Sequence, residues 1–331
     1  RQAVHAVQDT YRFDLRPPAP PHLAGNQAPV LGASWPLAAL DGGRAQLLGR
    51  LAGFVERLAA LAQSLQRAQS MGLARIDAQL LHLHALGRDP HDRAWLLAHD
   101  TDIWPAAVAE QLEVGLQRRV AGEPIAYITG FKAFFGLNLQ VDARVLDPRP
   151  DTETLVEWAL ERLPPDTPQR VLDLGTGSGA VALALQHERP TCQVTAVDAS
   201  ADALAVASAN AQRLGLPVQC VLSHWMDAVP GPFELIVSNP PYVADGDPHL
   251  ADLTHEPLSA LTSGTDGLDD IRQIIAQAPS RLTPGGWLLL EHGWDQAQAV
   301  QALLRQAGFE QVQSRQDLAG VDRCTGGMKP L

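Results

Sequence analysis

The ten residues Val171-Leu172-Asp173-Leu174-Gly175-Thr176-Gly177-Ser178-Gly179-Ala180 constrain this chain more than any others. An apolar strand runs into a turn with glycine at every second position, and a helix begins at once. Glycine tolerates positive φ and admits a ligand close to the backbone, while the helix start offers N–H groups that have no partner within the helix. In an open α/β sheet such a turn lies at the carboxyl end of a strand, where ligands bind. Gly175, Gly177 and Gly179 follow G-x-G-x-G rather than the dinucleotide pattern G-x-G-x-x-G. Asp198 closes the next strand, where a carboxylate can accept both hydroxyls of a ribose. Loop, strand, helix and Asp198 together point to nucleoside binding. Asp173 either orients the loop, meets another part of the ligand, or serves a structural role.

The rest of the chain reads as a frame for this turn. Strand candidates are 171–174, 193–197, 218–222, 234–238, 287–291 and 310–315. Helices fit between them at 180–187, 201–214, 268–277 and 295–307. That alternation predicts an α/β fold with a mostly parallel sheet covered on both faces. Upstream, Leu48, Leu51, Phe54, Val55, Leu58, Leu61 and Leu65 recur at helical steps. Further helices fit 76–86, 92–98 and 105–120, with Pro105 in a first turn. Residues 125–128 and 134–141 read as short strands of a hairpin around Gly130, and Asp151 or Thr152 as the cap of a helix reaching Leu163. The organisation expected is a flexible leader over 1–45, rich in proline from Arg16 to Pro21, a helical unit over 46–121, a β-hairpin linker over 122–147 and a ligand-binding α/β domain over 148–331.

Composition narrows the function. With 331 residues, a formal net charge of −12 and a pI of about 5.3, the chain is unsuited to a broad grip on a phosphate backbone, so no direct nucleic-acid substrate is expected. Three scattered cysteines fit a reducing cytoplasm rather than a disulfide framework. No apolar run approaches the ~20 residues of a membrane helix. His82 and His84 point to different faces of a helix, so no metal site is expected there.

A second segment carries the chemistry. Phe233–Ser238 is a strand, and Asn239-Pro240-Pro241-Tyr242 follows it directly. The prolines end the ladder and stiffen the turn. An amide nitrogen is a poor nucleophile because its lone pair is delocalised into the carbonyl. Two acceptors aimed at its hydrogens can localise that pair. Asn239 offers a side-chain carbonyl, Pro240 a backbone carbonyl, and Tyr242 a flat face for a planar NH2 group. Methyl transfer then needs mainly positioning and hydrogen-bond electrostatics.

These two segments, with Pro148-Arg149-Pro150-Asp151-Thr152-Glu153, Gly122–Tyr127, Glu256–Leu261 and Glu291-His292-Gly293-Trp294, resemble the HemK/PrmC family of peptide chain release factor glutamine methyltransferases. The likeness covers about residues 50–325. It implies a Rossmann-like S-adenosyl-L-methionine methyltransferase domain with a seven-stranded, mostly parallel sheet, preceded by a helical domain that contacts the release factor and a β-hairpin. It implies N5-methylation of the glutamine in the Gly-Gly-Gln motif of class I release factors, in support of translation termination, with S-adenosyl-L-homocysteine as product. On the matching residues, Gly175, Thr176, Gly177, Ser178, Gly179, Asp198, Trp225 and Asn239 would contact the cofactor, and Asn239, Pro240, Pro241 and Tyr242 would hold the glutamine, with Asn239 and Pro240 catalytic. Trp225 would pack on the adenine; read without the family, it is equally a half-buried core residue. His224 stands where relatives are usually acidic, and Asp147 where they are usually apolar. Arg149 and Glu153 either brace the site or form structural ion pairs. Arg118 and Arg119 read as a solvated face, Phe131, Phe134 and Phe135 as hairpin core, and His292 as structural. A ribosomal-protein glutamine methyltransferase is the close alternative, a nucleic-acid adenine methyltransferase a more distant one. Deleting residues 1–45 is expected to leave the methyl-transfer rate unchanged; a large fall in a transfer assay would show that this segment docks or recruits substrate.

Overall fold

Residues 61–102 and 105–331 are described by the structure, a computed structural model. The expected leader and the part of the first helix over 47–60 lie outside them. The described chain opens with four helices, α1 (Leu61–Ser70), α2 (Arg75–Ala85), α3 (Arg93–Ala98) and α4 (Ala106–Val120). Their inward faces repeat every three or four residues: Leu61 and Ala68 on α1, Ala78 and Leu81 on α2, Leu112 and Leu116 on α4. Gly115 lets the helices approach, because a Cβ there would lie 3.4 Å from Leu81 and 3.5 Å from Ile128. His82 is fully buried, bonded to the Ala78 carbonyl at 2.6 Å and to Ser64 Oγ at 2.9 Å, and burial lowers its pKa to about 4, so it is a neutral core residue. Pro105 precedes α4 as its cap, with an extended ψ of 140°, and not within the first turn. Arg118 and Arg119 are not a merely solvated face: they pair with Glu123 at 2.5 Å and Asp77 at 2.8 Å.

The strand expected over 125–128 is a helical turn, α5 (Ile125–Thr129). Pro124 fixes its entry, and Gly130, in left-handed conformation, closes it with an N–H bond to the Ala126 carbonyl. Packing overrides the β preference of the two isoleucines here. Ile128 enters the helical core, whereas Ala126 and Tyr127 enter the core below the sheet. The hairpin therefore comes later, between β1 (Phe131–Phe134) and β2 (Leu137–Gln140). It turns at Phe135 and Gly136, both at positive φ, as two-residue hairpin turns demand. Phe134 is core, but Phe131 is exposed. Glu153 accepts from the Phe135 N–H at 3.0 Å, which gives this carboxylate its role at the hairpin tip. Neither Asp151 nor Thr152 caps the next helix by its side chain; a 3-10 turn over Pro150–Thr152 leads directly into α6 (Glu153–Arg162).

The remaining elements are β3 (Arg170–Leu174), α7 (Ala180–Glu188), β4 (Gln193–Asp198), α8 (Ala201–Leu214), β5 (Gln219–Leu222), β6 (Phe233–Ser238), α9 (Asp269–Arg281), β7 (Leu282–Glu291), α10 (Ala297–Gln306), β8 (Glu310–Gln316) and β9 (Asp322–Met328). The sheet has seven strands in the order β5-β4-β3-β6-β7-β9-β8, and only β9 runs against the others. Alternate residues separate onto two faces. Val171, Leu235, Val237 and Leu289 join α6, α7 and α8; Leu172, Ile236, Leu288 and Leu290 join α9 and α10. Strand order reverses between β3 and β6, which opens a crevice at their carboxyl ends. Among the described residues no helix is long and apolar enough to cross a membrane.

β9 was not foreseen, because Thr325-Gly326-Gly327 lacks the apolar run of a central strand. Its glycines are a packing device: a Cβ on Gly326 would meet Leu289 Cδ2 at 2.5 Å, the Leu288 carbonyl oxygen at 2.7 Å and the Trp158 ring at 2.9 Å. Backbone cannot step aside as a flexible side chain can. Gly326→Ala is therefore expected to cost about 1–3 kcal/mol through overpacking, read as a lowered urea midpoint; an unchanged midpoint would show that the strand yields.

Candidate active site

The crevice is a cleft of about 280 Å³ at the ends of β3, β4 and β6. Gly175, Gly177 and Gly179 have φ of 66°, 54° and 85°, the left-handed conformation that only glycine adopts at little cost. The Thr176 N–H donates to the Val197 carbonyl at 2.9 Å, which stitches the loop to β4. Asp198 accepts from the Gly177 N–H on Oδ2 and from the Ser200 N–H on Oδ1, both at 2.9 Å. Its carboxylate is held at two points, yet each oxygen keeps acceptor capacity for a ligand hydroxyl. Asp173 is buried and accepts from Thr176 Oγ1 at 2.7 Å and the Ala182 N–H at 3.2 Å. Burial, with the charge of Asp198 nearby, pushes its pKa up to about 7. Asp173 thus orients the loop, and it also reaches the cleft wall.

Trp225 stands over the first glycine: a Cβ on Gly175 would lie 3.5 Å from its ring. Its backbone has a φ of 45°, sparsely populated for a non-glycine residue. Ser223 holds this turn, donating to the Trp225 carbonyl at 2.9 Å and accepting from the Ala228 N–H at 3.0 Å. The buried indole Nε1–H has no hydrogen-bond partner among the described residues. His224, half exposed beside it, meets the indole edge-on at 5.9 Å.

At the end of β6, the Ser238 hydroxyl donates to the Leu174 carbonyl at 2.7 Å. This ties the strand that carries Asn239 to the strand that carries the glycine loop. Asn239 Nδ2 donates to Thr152 Oγ1 at 3.2 Å, so its Oδ1 is the end left to accept. Gly175, Thr176, Gly177, Ser178, Asp198, Trp225, Asn239 and Pro241 are brought around one cleft. Gly179, Pro240 and Tyr242 are not among the residues that line it, although Pro240 joins Asn239 to Pro241, which both do. Gly179 begins α7, and a Cβ there would lie 2.9 Å from Leu183, so its role is in the turn. Pro240 is buried. Tyr242 donates to Glu291 Oε1 at 3.4 Å, its N–H reaches the Leu261 carbonyl at 3.2 Å and its carbonyl accepts from Gln296 at 3.0 Å. Burial and the charge of Glu291 push the Tyr242 phenol well above its usual range.

Thr152, a cleft residue that touches Asn239, was missed as a site residue, although it lies inside the quoted segment Pro148–Glu153. Asp147, the departure from the family pattern, has a compensating partner: Lys132 Nζ lies 3.0 Å away on β1. Arg149 pairs with the buried Glu256 at 2.7 Å and pins the segment after β6 onto the Pro148–Pro150 strap. His292 is fully buried between the Gly293 carbonyl at 2.8 Å and Thr325 Oγ1 at 2.7 Å, and burial lowers its pKa, so it is structural. Among the described residues no group of acidic, histidine or cysteine side chains can hold a metal ion.

Comparison with known proteins agrees with this architecture. Residues 151–317 match the model of the methyltransferase small domain, and residues 56–130 that of the PrmC N-terminal domain. A release factor glutamine methyltransferase of Bordetella pertussis is 53% identical over 261 residues, spanning 77% of this chain and 95% of that one. One from Xylella fastidiosa is 50% identical over 262 residues, 78% of this chain and 94% of that one. The Escherichia coli K12 protein of the same name is 44% identical over 271 residues, 81% of this chain and 96% of that one. With a methyltransferase domain, a matching N-terminal domain and relatives this similar over nearly their full length, the chain belongs to the HemK/PrmC family of glutamine methyltransferases.

Proposed function

We propose that this enzyme transfers a methyl group from S-adenosylmethionine to the side-chain amide nitrogen of the glutamine in the Gly-Gly-Gln motif of class I peptide chain release factors, leaving S-adenosylhomocysteine. The observation that carries the reading is Asn239: its NH2 is committed to Thr152, its Oδ1 is not, and it borders the cleft that the glycine loop also borders. The relatives, named for the same activity, support the substrate. Release factors act in the cytoplasm, and the reading places the enzyme there.

The cleft suits S-adenosylmethionine in three ways. The two remaining acceptor positions of Asp198 fit a ribose diol. The loop over Gly175–Ser178 admits a ligand against backbone. The Trp225 indole beside Gly175 offers an apolar face to a purine, and its N–H, without a partner among the described residues, is a donor in reserve. When bound, the sulfonium supplies an electrophilic methyl carbon. The protein's own contribution is to the acceptor: Asn239 Oδ1 and the Pro240 carbonyl would take the two hydrogens of the substrate amide and localise its lone pair. Tyr242 acts from behind by fixing the turn. In this reading the helices over 61–120 and the hairpin present the release factor.

Asn239→Ala is expected to lower transfer to purified release factor by about 100-fold or more, with cofactor affinity within about threefold. Mass mapping of the methylated peptide reads the site, and a near wild-type rate would sink the role of Asn239. Trp225→Ala is expected to weaken cofactor binding on the order of tenfold, the loss of one aromatic contact. Calorimetric titration checks this, and an unchanged affinity would make Trp225 a core residue only. Methyl transfer to a ribosomal protein, with none to release factor, would overturn the substrate.

A further inference from the structure

Methyl donor and methyl acceptor are held by different parts of the chain, and the reaction depends on how firmly those parts are fixed to each other. The glycine loop borders the cleft, and the hairpin of β1 and β2 belongs to the acceptor side. We infer that Asn210 is a positioning residue that locks the hairpin to the glycine loop, so that a cofactor bound on the loop also stiffens the hairpin. The inference rests on the proposed roles of the cleft and the hairpin.

Asn210 is fully buried on α8. Its Oδ1 accepts from the Gln140 N–H at 2.7 Å, and its Nδ2 donates to the Gln140 carbonyl at 2.9 Å. The side-chain amide thus pairs with the last residue of β2 as the backbone of a neighbouring strand would. The second Nδ2 hydrogen goes to the Ser178 carbonyl at 3.0 Å. Arg213, one turn further along α8, donates to Asn210 Oδ1 at 3.2 Å and to the Asn138 carbonyl, and lies over the Phe131 ring. A carboxamide has two donor hydrogens and two acceptor positions, and Asn210 uses all four. The peptide after Ser178 is thereby fixed at both of its polar atoms: the oxygen by Asn210, and the Gly179 N–H by the Thr176 carbonyl at 2.8 Å. That peptide joins the loop to α7. Ala207 and Ala203 continue the same face of α8. Ala207 packs on Gly179, where a Cβ would lie 3.3 Å from it, and Ala203 lines the cleft.

No other side chain of this size can make these bonds. Aspartate has no donor and sets a charge against two carbonyl oxygens. Leucine has the shape but neither donor nor acceptor. Either leaves backbone groups of Gln140 and Ser178 without their partner, which is costly in the interior. A ligand held by Gly175–Ser178 restricts the loop, and the restriction passes to Gln140 through one amide. Linkage requires the reverse as well: a protein that restrains the hairpin tightens the loop on its cofactor. The acceptor protein is then bound best by enzyme already loaded with cofactor.

The test uses the full-length enzyme and S-adenosylhomocysteine, read by amide hydrogen exchange and calorimetric titration. The amides of α10, which packs on the other face of the sheet, gauge the slowing that any ligand brings by stabilising the whole chain. In wild type the Gln140 amide should slow by about fivefold or more beyond them. Asn210→Ala is expected to lose that extra slowing and to bind S-adenosylhomocysteine about tenfold more weakly. Leu304→Ala, an equally buried truncation on α10, is the control: it should lower the urea midpoint with affinity within about threefold of wild type. A Gln140 amide that slows no more than α10 in saturated wild type overturns the inference, and this readout stands even if Asn210→Ala fails to fold. Affinity within about threefold of wild type in folded Asn210→Ala overturns it too. So does an equal loss of affinity in Leu304→Ala, because the effect is then general loss of stability. A wild type that binds no S-adenosylhomocysteine sinks the proposed cofactor and this inference together. Extra protection of Gln140 without methylation of release factor upholds the inference and counts against the proposed substrate alone.

Discussion

One hydrogen bond sets the geometry on which the site depends. Ser238, the last residue of β6, donates its hydroxyl to the carbonyl of Leu174, the last residue of β3. The two residues are also partners in the sheet register. Each strand therefore ends level with the other, at the reversal of strand order. The glycine loop departs from one end and Asn239 from the other. A strand one residue longer on either side would turn every later side chain to the opposite face, and a donor-binding loop and an acceptor-binding turn would no longer share a cleft.

Rigidity around this point comes from acids that do no chemistry of their own. Asp173 holds Thr176 and the start of α7, Asp198 holds Gly177 and Ser200, Glu153 holds the hairpin tip, and Glu256 holds Arg149. Asn210 does the same without charge: its side chain bonds both the N–H and the carbonyl of Gln140 and the carbonyl of Ser178. Hairpin, glycine loop and α8 are joined by one buried amide. Hydrogen-bonded polar groups of this kind favour a single arrangement, because leaving a buried one unpaired is costly.

The sheet and the cleft were legible in the sequence wherever chemistry is local. The loop Gly175–Gly179, the acid at Asp198 and the turn Asn239–Tyr242 each declare themselves in consecutive residues. What could not be read depends on partners far along the chain. Gly326 and Gly327 resemble a loop until Leu289 and Trp158 are seen against them. Ile125 and Ile128 resemble a strand until the helical core claims Ile128. Tyr242 reads as a residue that touches substrate, yet its hydroxyl turns to Glu291, a contact between strand ends that no spacing rule reveals. Thr152 was overlooked because a threonine in a proline-rich segment has no signature apart from the asparagine it meets.

The single helical turn α5 carries a mechanical consequence. Its successive residues are divided between two cores: Tyr127 is fastened to the Val145 carbonyl beneath the sheet, while Ile128 is wedged among α2 and α4. Two bodies that share one turn of backbone in this way cannot swing apart on a tether. They keep a set spacing, as the jaws of a caliper do when the screw is locked. A guest gripped by the helices would then be measured as well as held, and only a loop of the matching reach would bring its tip to the cleft.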